Sequence, residues 1–279
     1  MTKTWFITGA GRGLGTETAK AALAAGDRVV ATARQQAAIA EKLGADGDNL
    51  LGLALDVADE GAARAGVAAA VTRFGGIDVL VNNAGYGHLG FFEEASDADI
   101  RAQFEANVFG LMHVTRAVLP VMRKAKSGRI FNLSSVAGFR GMAFAPLYCA
   151  SKFAVEGFSE ALAQEVAPFG ITVTIVEPGP FRTDFLTGES LRFSGVVVED
   201  YTPRRATVRA SFENRNGNQP GDPVRLARAF VELSRVETPP ARFLAGKVAV
   251  EAADAKLAAM AADHGRFRDL ALGTDYPAT

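Results

Sequence analysis

Short apolar runs recur along the chain at residues 5–8, 28–33, 49–54, 77–81, 129–133 and 172–176, with a possible seventh at 242–245. Between them lie longer stretches whose apolar residues return every three to four positions, the helical period. This alternation is what repeated strand–helix–strand units produce, so the pattern predicts an α/β fold. The expected architecture is a doubly wound, mostly parallel sheet of about seven strands with helices on both faces. Ser96 followed by Asp99 reads as a capping box opening a long helix, with Phe104, Val108, Leu111 and Val118 on its apolar side. A further helix is predicted from about residue 147 towards Pro168.

After Pro178 the pattern changes. Residues 183–222 mix aromatic and aliphatic positions (Phe185, Leu191, Phe193, Tyr201) with a polar, turn-forming stretch at 214–221, and read as a long irregular insertion. Such insertions are usually lids or binding loops; a mobile surface excursion is the plainer alternative. Helical pattern resumes after Asp222 and again at about 250–264. A length of 279 residues suits one core, so the expectation is a single domain over 1–279, with a substrate loop at 183–222 and C-terminal helices at 222–279.

Composition narrows the function classes. A formal net charge of -1 offers no basic field for nucleic acid or an anionic membrane. Cys149 has no partner for an internal disulfide, and His88, His113 and His264 are far apart without metal-ligand spacing, so no metal is expected. No apolar stretch reaches the roughly 18 residues needed to cross a bilayer, and the start runs directly into a strand. A cytoplasmic protein without a membrane segment is the default expectation.

Directly after the first strand comes Thr8-Gly9-Ala10-Gly11-Arg12-Gly13-Leu14-Gly15, leading into an Ala-rich helix. Glycines there permit a tight turn and let backbone N–H groups approach a pyrophosphate, while a helix N-terminus favours negative charge. Strand, glycine turn and helix together point to a dinucleotide. The second strand ends Ala33-Arg34, without the acid that would accept the ribose hydroxyls of NAD. Arg12 and Arg34 would instead hold an extra phosphate, favouring NADP(H), with NAD(H) possible if Arg34 merely caps an exposed strand end. Asp56-Val57, at the end of the third strand, stands where an adenine amino group could be met.

Reducing a ketone needs hydride at carbon and a proton at oxygen. Tyr148 and Lys152, four apart on a predicted helix, project from one face. Tyr148 would serve as general acid in reduction and general base in oxidation, with the Lys152 ammonium lowering its pKa. Asn132-Leu133-Ser134-Ser135 ends the fifth strand, and a serine hydroxyl there would donate to the substrate oxygen.

The spacing T-G-x-x-x-G-x-G, the Asn82-Asn83-Ala84-Gly85 segment and the Tyr-x-x-x-Lys pair, in this order, resemble the short-chain dehydrogenase/reductase family, from about Lys3 to Thr183. The resemblance implies a Rossmann-type fold and catalysis by Ser135 rather than Ser134, with Tyr148 and Lys152. It assigns Asn107 to a water-mediated proton relay to the lysine. It also implies cofactor contacts from Asn83, Ala84, Gly85, Tyr148, Lys152, Pro178, Gly179 and Thr183, and a homo-dimer or homo-tetramer built on helices starting near Asp97 and Leu147. An NADP-dependent ketone or aldehyde reductase is expected. The alternatives are an NAD-dependent alcohol dehydrogenase, an epimerase or dehydratase on the same scaffold, and a dinucleotide-sensing regulator. Candidate substrate walls are Tyr86, His88, Phe91 and Phe92, residues 139–147, and the loop after Thr183. They are rich in apolar and poor in acidic side chains, suiting an apolar or steroid-like molecule; Arg140 and Arg182 leave room for a carboxylate.

Overall fold

The computed structural model describes residues 2–186 and 190–276. In chain order its elements begin β1 (Thr4–Ile7), α1 (Gly13–Ala24), β2 (Arg28–Ala33), α2 (Gln36–Leu43), β3 (Leu50–Ala54), α3 (Glu60–Phe74), β4 (Val79–Asn82) and β5 (Gly87–Leu89). They continue with α4 (Asp97–Phe104), α5 (Gly110–Ala125), β6 (Gly128–Leu133), α6 (Val136–Phe139), α7 (Pro146–Val166), β7 (Ile171–Pro178) and β8 (Leu191–Phe193). The last are α8 (Thr202–Arg215), α9 (Pro223–Leu233), β9 (Arg242–Ala245) and α10 (Lys247–Leu272).

Seven strands form one sheet in the order β3-β2-β1-β4-β6-β7-β9, and every neighbouring pair is parallel. The fold is thus the doubly wound, Rossmann-like α/β architecture, with a wholly parallel main sheet. Parallel strands need helical crossovers on both faces, which is why the strands are apolar on both sides. Alternation along β1 illustrates it: Phe6 packs into the layer with α3, α5 and α7, while Trp5 and Ile7 pack into the layer with α1 and α9. The chain leaves β1 for β2 and β3, then crosses to β4. That reversal opens a crevice beyond the carboxyl ends of β1 and β4, where open α/β sheets bind ligands.

Three expectations are corrected. The expected loop at 183–222, of which 187–189 lie outside the described residues, is not irregular throughout: β8 pairs with β5 in a second small parallel sheet, and the 14-residue helix α8 follows. Its large apolar residues are essentially Val208 and Phe212, too sparse to announce a helical period, yet one turn apart and packed on the same cluster. The long helix after Ser96 has the expected capping box, but a π-helical stretch, Glu105–Phe109, separates α4 from α5. One extra residue per turn leaves no mark in composition. The C-terminal helix is also longer than 250–264, running Lys247–Leu272. Several predicted strands shift by one or two residues, whereas β2 and β9 have the expected bounds.

Candidate active site

The glycine turn is bolted to the end of β4. Thr8 Oγ1 accepts from the backbone N–H groups of Asn83 and Ala84, each at 3.0 Å, and Asn83 Nδ2 donates to the carbonyls of Thr8 (2.9 Å) and Gly9 (3.0 Å). The approach is too close for side chains. A Cβ on Gly15 would stand 2.3 Å from the Gly9 carbonyl oxygen and 2.5 Å from Asn83 Nδ2. Gly9 has φ +65 and Gly13 φ +55, so both need the left-handed conformation glycine tolerates. A Cβ on Gly11 would lie 3.1 Å from Ala33 Cβ, which brings the turn carrying Arg12 against the end of β2, where Arg34 is exposed. Arg12 is the residue preceding α1. A cradle built of bare backbone at a helix N-terminus fits the pyrophosphate of a dinucleotide.

The second half of the site lies on β6 and α7. Ser135 ends the strand in extended conformation and caps α6, its Oγ accepting from the Ala137 N–H at 3.1 Å. The same hydroxyl stands beside the Tyr148 phenol, close enough to oppose the upward shift of its pKa. Tyr148 is 9% and Lys152 7% exposed. Lys152 Nζ donates to the Leu133 carbonyl at 2.6 Å and lies 5.8 Å from the centre of the Tyr148 ring. Here the expected pKa relation is overturned. Burial pushes the Tyr148 phenol up to about 12, only partly opposed by Ser135, and burial pulls the Lys152 ammonium down to about 8 despite the charge of Glu156. The desolvation that makes this site dry outweighs the attraction that sequence spacing suggested.

Asn107 sits in the π-helical stretch. Its Oδ1 accepts from the Tyr86 N–H (3.0 Å), and its Nδ2 donates to the Tyr86 carbonyl (2.9 Å) and to Ser151 Oγ (3.2 Å). It therefore ties the segment after β4 to the turn of α7 that bears Lys152. Thr183 meets the glycine turn from the other side: a Cβ on Gly13 would lie 3.5 Å from Thr183 Cβ. Gly179 donates to the Ala245 carbonyl at 3.0 Å, which fixes the segment after Pro178 to the edge strand. Asp56 is exposed and accepts from the Ala58 N–H at 3.0 Å, and Val57 is buried beneath Gly110.

Sequence reasoning passed over a buried charge network behind the lysine. Glu156, one turn along α7 from Lys152, bonds Arg242 at 2.5 Å, and Arg242 also engages Glu177 and Glu160. Burial, then the charge of Glu156, raises the Glu177 carboxyl well above the ordinary carboxylate range, although Arg242 opposes both. The i, i+4 spacing of Lys152 and Glu156 was the available signal; Arg242 arrives from a distant strand and carried none.

A third cluster closes the site. Tyr148, Leu89, Phe144, Cys149 and Leu191 are packed by Phe91, Met142, Phe185, Phe193, Val208 and Phe212. The Phe185 ring lies 5.8 Å from Tyr148, and Phe91 stacks on Tyr201 at 4.4 Å. His88 is buried with Nε2 3.5 Å from Asp99, and burial lowers its pKa. Arg182 turns away from this cluster, its Nε donating to the Gln219 carbonyl at 3.2 Å.

Residues 3–191 match the family model for short chain dehydrogenases. The chain is 39% identical to oxidoreductase BOA17 of Botryotinia fuckeliana over 98% of its length and all of that protein. It is 37% identical to the 3-ketodihydrosphingosine reductase of Bacteroides thetaiotaomicron, covering 86% of this chain and 87% of that one. A short-chain dehydrogenase from Streptomyces avermitilis superposes with a TM-score of 0.89 at 38% identity, over 99% of both chains. A 3-ketoacyl-(acyl-carrier-protein) reductase from Brucella melitensis complexed with NADH follows at TM-score 0.73 and 28% identity, covering 86% of this chain and 95% of that one. ElxO with NADP bound gives 0.71 and 26%, covering 87% and 96%. The protein belongs to the short-chain dehydrogenase/reductase family, and is an oxidoreductase of that family whose homologues bind NADH or NADP. No described helix is long and apolar enough to cross a membrane.

Proposed function

We propose that this protein is an NADP(H)-dependent carbonyl reductase acting on a ketone or aldehyde with a substantial apolar body. The observation that carries the reading is a buried Tyr148 phenol beside Ser135, with Lys152, also buried, one turn further along the same helix. The bound dinucleotide supplies hydride to the carbonyl carbon. As the C=O electron pair collapses onto oxygen, Ser135 and Tyr148 donate hydrogen bonds to it, and Tyr148 gives up its proton. Lys152 then faces a phenolate, whose charge its ammonium stabilises until a proton returns. Asn107, held between Tyr86 and Ser151, orients the water through which that proton comes. In the cofactor half, Thr8 and Asn83 hold the turn of Gly9, Gly11, Gly13, Leu14 and Gly15 in shape. Asp56, Val57, Ala84 and Gly85 would flank the adenine and ribose side of the dinucleotide, and Pro178, Gly179 and Thr183 the nicotinamide side. Monitoring loss of reduced-nicotinamide absorbance with a panel of ketones and aldehydes tests the activity; no oxidation with any of them contradicts it.

Arg12 and Arg34 support NADPH over NADH, because Gly11 against Ala33 brings their backbones together and the strand end carries no acid. Arg34→Asp is expected to raise KM for NADPH by about 10- to 100-fold, the worth of one charge-assisted bond, while leaving KM for NADH unchanged or lower. Equal loss with both cofactors contradicts the assignment.

The pH profile follows from Lys152. Its ammonium is populated below about pH 8 in the free enzyme and is lost as pH rises through that value. Since kcat/KM reports free-enzyme groups, reduction should be level below about pH 8 and decline above it. A profile flat to strongly alkaline pH contradicts the role given to the lysine.

Phe109 is 45% and Phe153 44% exposed, where α5 begins and on α7. These apolar surfaces support assembly through those helices into a homo-oligomer.

A further inference from the structure

Beside the aromatic cluster a groove of about 560 Å3 opens between the turn after α6 and the inner side of α8. Its lining combines apolar and cationic side chains. Met142, Val208 and Phe212 line it and at the same time pack on the cluster that contains Tyr148 and Phe185, so groove and reaction centre share an apolar wall. Arg140 and Arg215 line it as well, with the hydroxyl-bearing Thr207 and Ser211, and among the described residues no acidic side chain lines it.

The neighbouring arginines are committed elsewhere. Arg205 is bound to the buried carboxylate of Glu94, Arg242 to three glutamates, and Arg192 lies 4.5 Å over the Tyr86 ring. Among the described residues Arg140 has no carboxylate partner, and Arg215 lies 5.7 Å over the Phe212 ring. Two guanidinium groups thus line an open groove that also carries apolar side chains on both its turn side and its helix side. A guanidinium fork matches a carboxylate in two parallel hydrogen bonds, a match a neutral ketone cannot make.

The chain also sets the separation. Ser135 is the N-cap and Arg140 the C-cap of α6, so about 7 Å of helix rise lies between them before the arginine side chain is added. An acid held there stands several carbons from the carbonyl at Ser135 and Tyr148.

We infer that the groove between Arg140 and Arg215 is a carboxylate subsite, making the substrate class an amphiphilic oxo acid: carbonyl at Tyr148, apolar chain along Met142, Val208 and Phe212, acid at the arginines. This rests on the carbonyl-reductase reading above and names the substrate of that site.

The test uses a long-chain oxo acid, its methyl ester and the parent ketone without the acid, each assayed with NADPH on the wild-type enzyme and on an Arg140→Gln/Arg215→Gln double variant. The wild type should prefer the acid to the ester by about 10-fold or more in kcat/KM, a preference that weakens with added salt. The double variant should lose most of that preference while still reducing the ester. Calorimetry with the saturated acid of the same length, which cannot react, should show binding to the wild type and about 10-fold weaker binding to the double variant. Turnover of all three compounds without preference for the acid, or a preference that survives in the double variant, overturns the subsite and leaves the reductase reading intact. No cofactor oxidation with any of the three overturns both.

Discussion

Tyr148→Phe should lower kcat for carbonyl reduction by about 1,000-fold while leaving the dissociation constant for NADPH within about threefold of wild type, because a positioned general acid is worth roughly two to four powers of ten. The variant keeps the ring and its contact with Phe185 and removes only the phenol hydroxyl. A fold failure is therefore not the expected cause of inactivity, and an unchanged thermal midpoint would exclude it. The loss should appear in kcat and kcat/KM together, since the proton is needed only as the oxygen gains charge. Turnover within tenfold of wild type would show that the proton comes from elsewhere.

The second large effect is on the cofactor half. Gly15→Ala places a methyl group 2.3 Å from the Gly9 carbonyl oxygen and 2.5 Å from Asn83 Nδ2, and neither is the free end of a flexible chain. Both belong to the lattice of bonds that joins the glycine turn to β4, so the turn or α1 has to move. Overpacking of this kind costs about 1–3 kcal/mol, enough to weaken NADPH binding by roughly 10- to 100-fold and to lower the thermal midpoint by several degrees. Gly47→Ala is the control, since a Cβ there meets nothing within 4 Å and the residue has no positive φ. Similar NADPH affinity in both variants would contradict the role of the turn.

Much of this architecture is legible in the sequence where one local signal suffices. The strands β2 and β9 were readable to the residue because each is a compact run with clear flanks. Ser96 and Asp99 announced their helix because a capping box is made by residues three apart. The elements Ser135, Tyr148 and Lys152 were nameable for a different reason. Their order along the chain resembles a family, and physical reasoning from the Tyr-Lys spacing alone would not have singled them out.

What escaped the sequence depends on burial and on distant partners. The direction of the Tyr148 shift was misread because spacing reports a lysine nearby but not how dry the pocket is. Helix α8 was missed because its inner face needs only Val208 and Phe212 to seat it, leaving the rest polar. Arg242 could not be tied to Glu156 and Glu177 without the sheet order that sets β9 beside β7. Arg140 was legible as leaving room for a carboxylate, but its partner Arg215 lies some 75 residues away on α8 and alone looks like ordinary surface charge.

The central claim is that hydride passes to a carbonyl carbon at the site formed by Ser135, Tyr148 and Lys152. Its most direct test is reduction of a ketone substrate with NADPH dideuterated at the reactive nicotinamide carbon, followed by mass spectrometry and proton NMR of the alcohol. The account predicts one deuterium at the carbinol carbon in the wild-type product and labelled product formed about 1,000-fold more slowly with Tyr148→Phe. An alcohol without deuterium at that carbon, or an equal rate of labelling by the variant, would contradict it.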